Sequence, residues 1–142
     1  GAKAVVNHRE EDWGQQVLVA TSGKKVDRVI DVEFGANLPQ ILGCIAPNGV
    51  IATYSSTQVK TPSLPFLDMM YMDLTLRMVI VYAMPESAKQ AAIAAISIAL
   101  EQEQLEHRVA HVVPLEKISK AHELIEIGGF GGCVVVSMES SE

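Results

Sequence analysis

The stretch from Val26 to Ser56, VDRVIDVEFGANLPQILGCIAPNGVIATYSS, constrains the fold more than any other part of the chain. Val26, Val29, Ile30 and Val32 form a β-branched run that stops at Gly35. Behind it Leu38, Ile41, Leu42 and Ile45 recur at helical spacing until Pro47-Asn48-Gly49 closes the segment. Val50-Ile51-Ala52-Thr53-Tyr54 then opens a second apolar run. The order is strand, helix, strand. Neither strand alternates cleanly, as expected when a parallel sheet is covered on both faces, and the connector is long enough for a crossover helix. An α/β core follows.

The rest of the 142 residues fits around that unit. Ala4-Val5-Val6 reads as a short first strand. Glu10-Glu11-Asp12 places acid at the start of a helix carrying Trp13, Val17 and Leu18, where it complements the positive end of the helix dipole, and Thr21-Ser22-Gly23 closes it. After Ser56 come Pro62 and Pro65, a short helix from about Leu67 to Met72, and a strand over Leu74–Tyr82. The methionines Met69, Met70, Met72 and Met78 read as core filler. Pro85-Glu86-Ser87 starts a long helix whose small face (Ala88, Ala91, Ala92, Ala95, Ala99) suits close packing on a sheet. Val109–Val113 is a strand, Pro114–Ile127 a helix, and Cys133–Met138 a last strand after Gly128-Gly129-Phe130-Gly131-Gly132. Ser140-Ser141-Glu142 is expected to fray.

Bulk properties exclude several classes of function. A composition 49% hydrophobic and 20% charged suits one globular domain over 1–142, and no linker divides it. A formal charge of −6 without a basic stripe argues against a nucleic-acid partner. The apolar stretches Met78–Met84 and Ala91–Leu100 are too short or interrupted to span a bilayer, and the first residues show no signal-peptide pattern, so a cytoplasmic location is expected. Cys44 and Cys133 have no CxxC partner and read as two buried thiols.

Residues of catalytic type form no convincing constellation. His107 and His111 are four apart, but valines make their segment extended and no third ligand accompanies them. His122 reads as a packing or capping residue. Asp31 and Glu33 alternate at the end of the central strand; an acid–base pair there is weighed against one solvated carboxylate and one helix-end contact, which is preferred. Ser55-Ser56 lacks a nucleophile-elbow context.

VDRVIDVEFGANLPQILGCIAPNGVIATYSS, LTLRMVIVY, VVPLEKISKAHELIEIG and GGCVVVSM together resemble the C-terminal portion of the medium-chain dehydrogenase/reductases, in particular the zinc-free, zeta-crystallin-like quinone oxidoreductases. The resemblance implies an incomplete Rossmann-type, mostly parallel sheet with helices on both faces, lacking the first two βα units. Residues 109–138 would correspond to the family's final strand-helix-strand. It implies NADPH, or NADP(H) more generally, as cofactor and reduction of quinones or activated alkenes as chemistry. In such a fold the ligand sits at the carboxyl ends of the strands. Glu33, Phe34, Gly35 and Asn37 after one strand, and Tyr54, Ser55 and Ser56 after the next, would line the cofactor cleft. Val81, Tyr82 and Ala83 would approach the nicotinamide, and Asn7, His8 and Arg9 the adenosine.

Against this pattern, no GxGxxG turn exists to hold a diphosphate, and Gly129-Phe130-Gly131-Gly132 neither follows a strand nor opens a helix. Cys133 stands where relatives often carry lysine. Without the first two units, the first strand must move over to pair with Val26–Val32, or open edges must find another chain. A homo-oligomer is therefore expected, paired through Val26–Val32 or, as relatives tend to do, through Leu74–Tyr82. Two readings of function remain. One is the nucleotide-binding part of an NADPH-dependent quinone oxidoreductase-like protein, inactive alone. The other is a non-catalytic assembly module holding a different small-molecule ligand.

Overall fold

A computed structural model describes residues 1–138, which divide into two compact units, Gly1–Met84 and the segment from Pro85 onward. The first unit is built on the expected strand-helix-strand. β1 (Val26–Asp31), α2 (Phe34–Cys44) and β2 (Ile45–Thr53) follow α1 (Trp13–Ala20), and α3 (Phe66–Tyr71) leads into β3 (Thr75–Met78). The three strands form one parallel sheet in the order β1-β2-β3, with Asp31, Thr53 and Met78 in register at its carboxyl end.

The core of this unit sits where α2 covers the sheet. Phe34, Leu38 and Ile41 come from one face of the helix, and Ile45 and Ile51 from β2; Ile41, Ile45 and Ile51 are 0% exposed. Trp13 of α1, Val29 of β1 and Leu76 of β3 pack against this cluster. α1 crosses α2 closely because Gly14 has no side chain: a Cβ there would stand 2.6 Å from the Gln40 carbonyl oxygen. The Gly14 N–H instead donates to Gln40 Oε1 at 3.0 Å.

Several boundaries differ from those the sequence suggests, each for lack or gain of a ladder partner. Ala4-Val5-Val6 is not a strand, and Val5 is 90% exposed. A three-residue run gains nothing from extension without a neighbour to bond, and among the described residues β1 pairs with β2 alone. Helix α2 ends at Cys44, before Pro47-Asn48-Gly49, because Ile45 already pairs with Val26. Residues 46–49 loop out before Arg28 meets Val50. Asn48 takes a positive φ of 61° in that loop and donates its N–H to the Met72 carbonyl at 2.8 Å. β3 stops at Met78, short of Tyr82. Its ladder ends with β2 itself, the last link being Val79 N–H to the Thr53 carbonyl at 2.8 Å, and Val81–Ala83 then turn as a 3-10 helix. Of the methionines, Met72 packs on the core, whereas Met70 and Met78 are exposed.

The second unit holds α4 (Glu86–Glu101), β4 (Val109–Pro114), α5 (Ile118–Ile127) and β5 (Cys133–Ser137). β4 and β5 pair in parallel, and α5 lies against both, with Val113 and Ala121 buried. The His111 ring meets Phe130 edge to face at 4.9 Å, anchoring the glycine-rich turn. Two expectations fail here. The alanine-rich face of α4 is not packed away, since no residue of α4 is buried. Cys133 is exposed, so of the two free thiols only Cys44 is a core residue. The expected fraying of Ser140-Ser141-Glu142 concerns positions outside the described residues.

Every strand pairing is parallel, and helices flank the strands. The architecture is a partial Rossmann-like α/β fold. Among the described residues, no helix is long and apolar enough to cross a membrane.

Candidate functional site

Parallel pairing brings the ends of β1, β2 and β3 to one edge of the first sheet, and the chain leaves that edge three times: through 32–33, 54–60 and 79–84. At the end of β1 lies a cleft of about 930 Å³ lined by His8, Arg9, Asp31, Glu33, Asn37 and Gln58, among others. This is the edge at which an open α/β sheet receives ligands.

Asp31 closes the bottom of the cleft. It is 6% exposed, and Asn37 Nδ2 donates to its Oδ1 at 2.7 Å while Thr53 Oγ1 donates to its Oδ2 at 3.4 Å. A carboxylate buried this far needs such donors to offset lost hydration. Glu33 stands at the rim. Its Oε2 accepts from the Thr57 hydroxyl at 2.6 Å and the Thr57 N–H at 2.9 Å, and its Oε1 accepts from the Gln58 N–H at 3.0 Å. The Thr57 hydroxyl, ahead of the backbone N–H groups, holds the Glu33 carboxyl below its ordinary range, against a smaller opposing effect of desolvation. The two carboxylates therefore serve separate partners. Asp31 is not the solvated one.

The first turn of α2 is closed by the loop after β2. The Phe34 N–H donates to the Ser55 carbonyl and the Gly35 N–H to Ser56 Oγ, both at 3.0 Å, and Ser56 Oγ donates onward to the Val59 carbonyl at 2.5 Å. Gly35 is required there, since a Cβ would lie 2.6 Å from both the Val59 carbonyl oxygen and its Cβ.

Of the residues singled out from sequence, His8, Arg9, Glu33 and Asn37 line one cleft. Asn7 belongs to its own turn: its Nδ2 donates to Glu10 and its Oδ1 accepts from the Arg9 N–H. Phe34 is 3% exposed and belongs to the core. Gly35, Ser55 and Ser56 join the two loops, Tyr54 is exposed beyond β2, and Val81, Tyr82 and Ala83 form the exposed turn after β3. Sequence reading missed Thr57 and Gln58, whose signal was slight: two polar residues after a strand. It also missed Gln40, which ties the N-terminal segment to α2 through the Glu11 carbonyl.

A family model described as zinc-binding dehydrogenase matches residues 1–136. The chain belongs to this family. It is a member of the medium-chain dehydrogenase/reductase superfamily, which includes quinone and enoyl reductases. No curated protein matches. Among solved structures it is similar to an NAD-dependent alcohol dehydrogenase, with 26% identity over 98% of this chain and 39% of that one and a TM-score of 0.74. It is also similar to a 2-haloacrylate reductase (22%, covering 94% and 43%, TM-score 0.79) and to a quinone oxidoreductase of Pseudomonas syringae pv. tomato DC3000 (18%, covering 92% and 41%, TM-score 0.68). The chain spans about two fifths of the length of these relatives.

The family's zinc and nucleotide can be tested against the residues present. A zinc site needs three or four His, Cys or carboxylate ligands converging, and among the described residues no three come together. A diphosphate needs free backbone N–H groups at a helix start. Here those of Phe34 and Gly35 are taken, and Glu10, Glu11, Asp31 and Glu33 outnumber the cationic Arg9 around the cleft. The described residues fit neither the zinc nor the diphosphate, and no chemical step through them is assigned to this chain.

Proposed function

We propose that this chain is part of the nucleotide-binding domain of an NADPH-dependent quinone oxidoreductase of the zeta-crystallin-like type, acting in the cytoplasm and unable to turn over substrate alone. One observation carries the reading: the cleft at the carboxyl end of a parallel β-sheet, walled by His8, Arg9, Glu33 and Asn37. His8 and Arg9, with Asn7 behind them, would face the adenosine. The loops of Glu33–Asn37 and Tyr54–Ser56 would border the cofactor's middle, Phe34 and Gly35 acting through their backbone. Val81, Tyr82 and Ala83 would stand on the nicotinamide side. In this reading the hydride chemistry belongs to the cofactor, and this chain's residues would border its adenosine and nicotinamide without holding its diphosphate.

A second reading is favoured by the occupied N–H groups of α2: an assembly module without catalysis, holding another small ligand in the same cleft. In either case a homo-oligomer through the edge of β1 or β3 is expected, since both strands are edges of their sheet and Ile30 is 82% exposed. Titration of NADPH fluorescence with the purified chain separates the two readings. At most weak NADPH binding, without quinone-dependent NADPH oxidation, is the expected result. No change up to millimolar NADPH would replace the first reading with the second.

A further inference from the structure

One carboxylate joins the two loops that border the cleft. Glu33 belongs to the connection between β1 and α2, whereas Thr57 and Gln58 belong to the loop after β2, twenty-four and twenty-five residues on. The bonds it accepts at 2.6, 2.9 and 3.0 Å all come from that loop. They lie beside the Ser56–Gly35 contact, so a loop without secondary structure is stitched to the helix start on both sides. Gln58 also lines the cleft, so the bond from its N–H to Glu33 fixes a residue of the cleft wall.

We propose that Glu33 is the positioning residue of this site, its carboxylate clamping Thr57 and Gln58 as a fixed rim of the cleft. The inference rests on the reading above only for what the cleft binds. Charge-assisted hydrogen bonds from two backbone N–H groups and a hydroxyl are stronger than neutral ones, and they weaken when the acceptor is protonated, since the acid keeps only part of its acceptor capacity. The clamp is therefore tight at neutral pH and loosens in acid. His8, Arg9, Glu10 and Glu11 of the N-terminal segment and Asp31 of β1 face the same cleft. A glutamine substitution at Glu33 separates its effect on the loop from that of these neighbours.

The test is a pH titration of the amide resonances of Thr57 and Gln58 in the 142-residue chain by NMR. Both amides are expected to titrate together with a midpoint below 4.5, the ordinary value for this carboxyl. Glu33→Gln should abolish that titration while amides of β1 and β2 keep their positions. Thr57→Val, which removes only the hydroxyl donor, should move the midpoint back toward 4.5 and keeps the test open if the glutamine variant does not fold. Amides that do not respond to Glu33, or a midpoint that Thr57→Val leaves in place, would overturn the proposal. Addition of NADPH distinguishes the two claims: amides that titrate but ignore NADPH support the clamp while removing the cofactor reading.

Discussion

Gly35, Glu33 and Asp31 show how much of this site depends on single atoms. Gly35 lets Val59 approach the first turn of α2 more closely than any side chain would permit, and the two neighbouring carboxylates are held by different donors. Their residue types were visible in the sequence, and their partners were not, because Thr57 becomes a neighbour of Glu33 only once β2 lies beside β1. The cysteines make a similar point. Cys44 is 2% exposed and burial pushes its thiol above the ordinary 9.0, whereas Cys133 is exposed. Labelling with a chromogenic disulfide at neutral pH should therefore titrate one thiol rapidly in the folded chain and the second only in denaturant. Rapid reaction of both would contradict the burial of Cys44. The sign of its linkage follows: folding favours the neutral thiol, so that contribution is whole below pH 9.0 and is lost as pH rises through the raised value.

At the scale of elements, the strand-helix-strand from Val26 to Thr53 was legible because its signals are local. Leu38, Ile41 and Ile45 repeat at helical spacing, and two β-branched runs flank them. The helix face they define is the one that meets the sheet, with Ile41 fully enclosed. Ile41→Ala should lower the unfolding free energy by about 2–5 kcal/mol, the range for truncating a buried aliphatic side chain. Urea unfolding followed by circular dichroism measures it, and a loss within error of zero would mean that α2 does not cover β2 as described. Ala4–Val6 and Val79–Tyr82 carry equally good strand residues and are not strands. Propensity supplied the possibility in both places, and the missing ladder partner withdrew it.

On the scale of the whole molecule, the first sheet, as the described residues form it, ends in two edge strands, β1 and β3. β1 is the edge next to the candidate cleft, and Ile30 projects from it almost fully exposed. If copies of the chain pair there, Ile30→Lys should weaken association without unfolding the sheet, because charge on an edge opposes strand addition. Sedimentation velocity across a dilution series reads this as a shift toward monomer, with unchanged circular dichroism. A monomeric wild-type chain at all concentrations would defeat the edge-pairing proposal. The acidic balance of −6 is partly gathered around the cleft, where Glu10, Glu11, Asp31 and Glu33 meet Arg9. Composition announced the sign of that charge but not its location.

The sequence by itself determined the class of fold and the order of elements from α1 onward, because periodicity and turn residues act over a few positions along the chain. Only the tertiary structure decided which extended runs became strands, which acid was buried and which loop Glu33 would hold. Those outcomes depend on neighbours twenty or more residues away, and a hydrogen bond or a ladder forms only when such neighbours have been brought alongside.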